Sequence, residues 1–386
     1  MSTTPENFSS GRLQIALGLQ DVVVDESKIC FIDGVAPKLL YYGYNIHDLA
    51  ENCSYEEIVF LLLNGKLPNK AELAKVSADL VAARGLPAEV FQTIKNAPKT
   101  SIPMDVLRTC VSQLALSDVK PNDDTPEGRY RKSIRLTALF PEIVAADYRN
   151  RRGEAPVKPN AKLGHASNFL YLLHGKEPGP SAAKTMDVAL VLHAEHSFNA
   201  STFTARVIAA TLSDMYSAVT GAVGALKGPL HGGANEGVIK TLVEIGDAPK
   251  VEPWLNEKFK EKGFRLMGFG HRVYKTVDPR AVVLKKYSEK SGKEHGVTKW
   301  FDMSVKIEAM MKTREKPLYP NVDFYSASTY YTMGLPPEIF TPIFAVSRVI
   351  GWCAHVMEQQ SHNRLIRPDC AYVGVMDAPF VPLDKR

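Results

Sequence analysis

Apolar residues recur every three or four positions through most of the chain, the spacing that lays one face of an α-helix against a core. A capping box at Ser54-Tyr-Glu-Glu57 opens the clearest case, ahead of Ile58, Val59, Leu61 and Leu62, and Gly65 closes that helix before Pro68. A second helix is predicted over 70–84, stopped by Gly85 and Pro87. Helical periodicity also covers 104–116, 130–148, 163–173, 182–196, 201–217, 234–245, 254–262, 281–291, 299–313, 326–333 and 341–360. Only 22–24 and 29–32 carry the β-branched character of strands. Segments 117–128 and 151–162 hold Pro, Gly, Asn and charges without a hydrophobic period, and read as surface connectors rather than domain linkers. With no internal repeat or low-complexity segment, the pattern predicts a nearly all-α protein.

Composition narrows the class. The 386 residues suffice for two or three domains, and 45% hydrophobic with 23% charged residues excludes disorder as a global description. The formal net charge of +5 is spread along the chain without a basic block, so nucleic acid is not an expected partner, whereas a cation-lined cleft would suit polyanionic small molecules. Cys30, Cys53, Cys110, Cys353 and Cys370 are odd in number and lack C-x-x-C spacing, which predicts reduced thiols and neither a disulfide framework nor a zinc knuckle. Residues 1–12 have no apolar segment of a secretory or transit type, and apolar runs such as 58–63 are too short to cross a bilayer. The expectation is a cytoplasmic protein with no membrane contact.

Three turn-rich stretches carry the chemistry: Gly228-Pro-Leu-His231-Gly-Gly-Ala-Asn-Glu236, Met267-Gly-Phe-Gly-His271-Arg-Val-Tyr-Lys275 and Asn321-Val-Asp323-Phe-Tyr-Ser-Ala327. Each can aim a side chain at a ligand. Imidazole titrates nearest neutrality, and a carboxylate beside such groups can take a proton from a weakly acidic C–H. Two polarising donors and one base are what an enolisation followed by attack on a carbonyl requires. Structural alternatives stand beside these readings: Asp323 could be an acid favoured at the N-terminus of the helix predicted from Ser326. His193 and His196, three apart on a predicted helix, could suggest metal ligands, but no third ligand converges in sequence and H-E-x-x-H is absent, so no metal is expected. Gly268-Phe-Gly270 imitates a dinucleotide fingerprint, yet Val273 stands at the third glycine position and no buried strand precedes it. Arg348 interrupts the apolar run Ile343, Phe344, Val346, Val349, Ile350 and Trp352, so it must be buried or face a cleft.

Further motifs are His193-Ala-Glu-His196-Ser-Phe-Asn199-Ala-Ser201-Thr-Phe-Thr, Asp278-Pro-Arg280, Phe344-Ala-Val-Ser-Arg348 and Arg364-Leu-Ile-Arg367-Pro. With all of them in order, the chain resembles the citrate synthase family from about Leu39 to the C-terminus. That resemblance implies an all-α, multihelical fold with a large domain from 1–233 and 335–386 and a small inserted domain, 234–334. Hinges would fall at Gly232-Gly233 and near Gly334-Leu-Pro-Pro337, with the active site in the cleft between the domains. The implied activity is an acyltransferase condensing acetyl-CoA with oxaloacetate and water to citrate and CoA, through an enol or enolate and then citryl-CoA.

Residue by residue, the resemblance implies that His231 donates a hydrogen bond to the thioester carbonyl, Asp323 removes the methyl proton, and His271 polarises and protonates the ketone of oxaloacetate. It assigns His196, Arg280, Arg348 and Arg367 to oxaloacetate, with Arg367 supplied by the neighbouring subunit of a homodimer, since a guanidinium fork grips a carboxylate at two points. Asn199 and Ser201 would orient the imidazoles. Phe264, Arg265, Leu266, Met267 and Gly268 match an adenine-facing loop, and Lys275 a phosphate-binding position for CoA. No cofactor is implied beyond the CoA thioester substrate, and the short leader before the family-like region suggests a dimer insensitive to NADH. 2-Methylcitrate synthases use propionyl-CoA with the same machinery, and the ending Phe380-Val-Pro-Leu-Asp-Lys-Arg386 resembles theirs. A methylene in an apolar pocket changes binding by only about 1 to 3 kcal/mol, so either or both acyl groups remain open. A non-catalytic binder of acyl-CoA or tricarboxylates would need the arginines but not the base.

Overall fold

The computed structural model describes residues 15–19 and 21–386; the leader 1–12 considered above lies outside the described residues. Helices dominate. Ser54 accepts the Glu57 N–H while the Glu57 carboxylate takes the Ser54 N–H, so the predicted capping box opens the helix Tyr55–Asn64. Asn69 and Glu72 form a second such box ahead of Lys70–Ala82. Thr125 accepts the Gly128 N–H, and Pro126 suits a first turn whose N–H would have no partner, so the helix Pro126–Arg151 begins inside the predicted connector 117–128.

At the centre lies Phe340–Ser361, packed against Pro126–Arg151, Pro180–His193, Ala200–Ala209 and Met215–Leu226. It is long and apolar enough to cross a bilayer, which corrects the expectation that no such segment exists; here the whole apolar window is buried inside the protein. The helices Ala234–Ile245, Val251–Lys258, Pro279–Glu294, Lys299–Lys312 and Val322–Thr332 pack chiefly on one another.

The β structure departs from the pattern. Strands Cys30–Asp33 and Lys38–Tyr41 form an antiparallel hairpin pairing Cys30 with Tyr41 and Asp33 with Lys38, and Tyr44–Asn45 adds a short third strand. Residues 22–24 are irregular, not a strand. Four-residue strands are too short to display a period, and three valines in a row resemble a strand without a partner to pair with. Helix boundaries shift as well. The helix predicted over 201–217 divides into Ala200–Ala209 and Met215–Leu226 at Leu212, whose φ is 64°, with Asp214 capping the second piece through the Ser217 N–H. The helix predicted to reach residue 196 ends at His193, so His193 and His196 do not share a helical face. Short helices Ile46–Asn52 and Ala88–Asn96 went unpredicted because each offers barely two turns of periodicity.

Candidate active site

A cleft of about 1310 Å³ gathers most of the predicted site: His196, Asn199, His231, Arg265, Leu266, Met267, Gly268, His271, Lys275, Arg280, Asp323 and Arg348 all line it. Ser201 sits directly behind it. A separate pocket of about 620 Å³, lined by Arg84, Glu142, Lys158 and mostly apolar side chains, contains none of these residues.

His271 is held by its own loop. The Val273 and Tyr274 N–H groups donate to its Nδ1 at 3.0 and 3.2 Å, so the ring proton of the neutral imidazole must reside on Nε2. Burial, reinforced by the Arg280 charge, pushes its pKa down to about 4. His271 is therefore a neutral donor at pH 7. Just upstream, Gly268 has φ 79°, and a side chain there would strike Val238 and Phe324; glycine lets this loop close onto the helix beginning at Val322.

His231 follows the helix Met215–Leu226 in a tight turn, its N–H bonded to the Gly228 carbonyl at 2.9 Å. Its Nε2 lies 2.8 Å from the Ser201 hydroxyl, which accepts from the Trp352 indole N–H at 3.0 Å and also lies 2.8 Å from Asn199 Oδ1. Ser201 has one proton and two acceptors in reach. When that proton goes to His231, the imidazole keeps its own on Nδ1 and becomes a donor there; Asn199 competes for it. Burial, with Arg348 second, lowers the His231 pKa to about 4, so this ring too is neutral.

Asp323 occupies the first turn of Val322–Thr332, a helix that starts four residues before the predicted Ser326 because Asn321 Oδ1 accepts the Asp323 N–H at 3.0 Å. It is thus a helix N-terminal acid and a cleft residue at once. Only 8% exposed, it leaves Oδ1 without a hydrogen-bond partner, and burial drives its pKa up to about 7 against the pull of Arg280. A carboxylate poised near neutrality with an unused lone pair has the character of a proton acceptor.

The arginines divide into two kinds. Arg280 is ion-paired within the protein: its Nε and Nη2 grip Asp278 at 3.0 and 2.7 Å, and Asp278 also accepts the Val322 N–H at 3.2 Å. Burial alone would lower the Arg280 pKa, but Asp278 outweighs it and raises it. Asp278, quoted within a motif but given no role from sequence, thereby ties Arg280 to the helix of Asp323. Arg348 is buried to 1% exposure, donates from Nε to the His193 carbonyl at 2.6 Å, lies 4.8 Å from the Phe344 ring, and leaves Nη2 without a partner. Burial brings its pKa down to about 10, so it stays cationic at neutral pH. A desolvated cation with free N–H groups facing a cleft calls for an anion.

His196 lies in the bend after Pro180–His193, its ring centroid 5.1 Å from that of His271, with Nε2 3.3 Å from the Tyr274 hydroxyl. Burial, then Arg280, keeps it well below its ordinary pKa. His193 is sealed in the core, bonded through Nδ1 to the Ala189 carbonyl at 2.8 Å. Phe264 does not line the cleft; it packs edge-on against Trp254 and Phe259, 5.9 and 5.5 Å between centroids, because its ring is more readily buried there than exposed at the cleft mouth. Arg367 lies on the exposed segment after Phe340–Ser361, paired with Asp369 at 2.6 Å, and does not reach this chain's own cleft. Sequence reading also missed Tyr274, Trp352 and the wall formed by residues 21–25, whose roles depend on neighbours remote along the chain.

Residues 18–369 match the family model described as citrate synthase, C-terminal domain. Citrate synthase 2 of Bacillus subtilis is 50% identical over 370 residues, 96% of this chain and 98% of that one. A 2-methylcitrate synthase of Mycobacterium tuberculosis is 44% identical over 363 residues, 94% of this chain and 91% of that one. The structure of the ternary complex of carboxymethyl coenzyme A and oxaloacetate with citrate synthase from Thermoplasma acidophilum is matched with a TM-score of 0.92 at 36% identity, covering 97% of this chain and 100% of that one. With two neutral imidazoles, a carboxylate oxygen and a guanidinium nitrogen without partners in one cleft, and a family match over nearly its whole length, the chain belongs to the citrate synthase family.

Proposed function

We propose that this protein condenses acetyl-CoA with oxaloacetate and water to citrate and CoA. The observation that carries the reading is the pairing, in one cleft, of an unpartnered buried carboxylate oxygen on Asp323 with an unpartnered buried guanidinium nitrogen on Arg348. Asp323 takes a methyl proton from the thioester while His231 donates a hydrogen bond to its carbonyl oxygen, stabilising the enolate that forms. The enolate carbon attacks the ketone carbon of oxaloacetate, the thioester carbonyl re-forms, and the Nε2 proton of His271 goes to the oxygen of that ketone. Arg280, Arg348 and His196 hold the dicarboxylate, and Lys275 and the loop 265–268 face the CoA moiety. Hydrolysis of the resulting citryl-CoA thioester releases citrate and free thiol.

A homodimer completes the site in this reading. Arg367 lies on a C-terminal segment that exposes Leu365, Tyr372, Val373, Val375, Met376 and Phe380, an apolar edge suited to covering by a second copy. The test of function is release of free CoA thiol from acetyl-CoA that depends on oxaloacetate; a non-catalytic binder would release none. Similarity to a 2-methylcitrate synthase at 44% identity supports propionyl-CoA as a second acyl donor, and the ratio of kcat/KM for the two thioesters ranks them.

A further inference from the structure

The turn joining strands Cys30–Asp33 and Lys38–Tyr41 meets the backbone of the His271 loop. Lys275 donates its N–H to the Gly34 carbonyl at 2.8 Å. A Cβ built on Gly34 would lie 2.3 Å from the Val273 carbonyl oxygen and 3.0 Å from its carbon, well inside the roughly 3.3 Å at which C–H···O contacts begin. Gly34 is not among the positive-φ glycines, so its own backbone conformation would admit any L-residue. What excludes a side chain there is Val273.

The Val273 carbonyl belongs to the same planar peptide group as the Tyr274 N–H. That N–H and the Val273 N–H are the two donors to His271 Nδ1. Pressure on the carbonyl therefore tilts a group that sets the imidazole's tautomer and direction. The turn is itself braced: Asp33 Oδ1 accepts the Val35 and Ala36 N–H groups at 2.8 and 2.9 Å. Gly34 also belongs to the first stretch of the chain, whereas His271 lies within the segment whose helices pack chiefly on one another.

We propose that Gly34 is a positioning residue for His271: the hairpin turn holds the 273–274 peptide so that Nδ1 stays occupied and the Nε2 proton stays directed into the cleft. The inference rests on the reading of His271 as the proton donor to the ketone. A double-mutant cycle tests it. Gly34→Ala is expected to lower kcat for thiol release about tenfold or more, as a misplacement of this kind does, with an unchanged circular dichroism spectrum. In a His271→Ala background the same substitution should change the residual rate less than about twofold, because its effect runs through that imidazole. Val35→Ala, in the same turn and 80% exposed, should leave kcat unchanged.

Side-chain nitrogen NMR of labelled histidine gives a readout independent of turnover: the His271 Nδ1 resonance should move in Gly34→Ala and not in Val35→Ala. Should Gly34→Ala fail to fold, Asp33→Ala, which loosens the turn without adding a clash, enters the same cycle and is expected to lose about threefold in kcat, cancelled by His271→Ala. A folded Gly34→Ala enzyme with wild-type kcat, an equal fold loss in both backgrounds, or an unmoved Nδ1 resonance overturns the proposal. Wild-type protein that releases no thiol overturns the reading of function instead, and the Nδ1 resonance then decides the positioning role alone.

Discussion

At the scale of single residues, burial does most of the chemical tuning. It raises Asp323 toward 7 and lowers His231 and His271 toward 4, producing one base and two neutral donors at physiological pH. Asp323→Asn keeps the shape but cannot accept a proton, so kcat should fall by about a thousandfold or more while oxaloacetate binding, read by calorimetry, stays within a few-fold. Methyl deuterium exchange should vanish with it; exchange at the wild-type rate would remove Asp323 from the base role. The same shift carries a stability consequence. Because the folded pKa is raised from 3.8 to about 7, the native state holds a proton that the unfolded chain has lost, and stability falls as pH rises through that window. Asp323→Asn should therefore be more stable than wild type at pH 8 by about 1 to 4 kcal/mol, the difference closing near pH 4. Equal melting temperatures at both pH values would contradict the buried, unpaired carboxylate. Arg348→Lys preserves charge but loses the planar fork, and the oxaloacetate KM should rise about tenfold or more, well beyond any change for acetyl-CoA. An unchanged oxaloacetate KM would make Arg348 a structural cation.

At the scale of elements, the caps were legible and the breaks were not. Ser54 with Glu57, and Gly65 after the last apolar turn, are local signals whose physics is complete within a few residues. The division of 201–217 had one local signal, the Asp214 cap, masked because the apolar period continues through it; the chain reverses at Leu212 as Ala200–Ala209 packs against Met215–Leu226. Leu212 is 65% exposed and sits at φ 64°, a conformation that costs a β-carbon roughly 1 kcal/mol. Leu212→Gly should accordingly raise stability by about 0.5–1 kcal/mol in chemical denaturation, against the usual direction for glycine. A loss of similar size would mean that the Leu212 side chain is buried by something other than this chain.

For the whole molecule, the apolar C-terminal edge and the remoteness of Arg367 from its own cleft lead to one expectation: a dimer by light scattering. A monomer with full activity would detach Arg367 from the site. By itself the sequence determined the helical class, the ends of the strongest helices and the candidate histidines, Asp323 and Arg348 that the cleft collects, because caps, periods and glycine-flanked histidines are short-range patterns. Tertiary structure alone decided that Asp278 also accepts the Val322 N–H, that Ser201 stands between Trp352 and His231, that Phe264 turns away from the cleft, and that Gly34 meets Val273. Those contacts join residues whose separation along the chain carries no period, and the desolvation that sets the pKa of Asp323 exists only once the surrounding helices have closed around it.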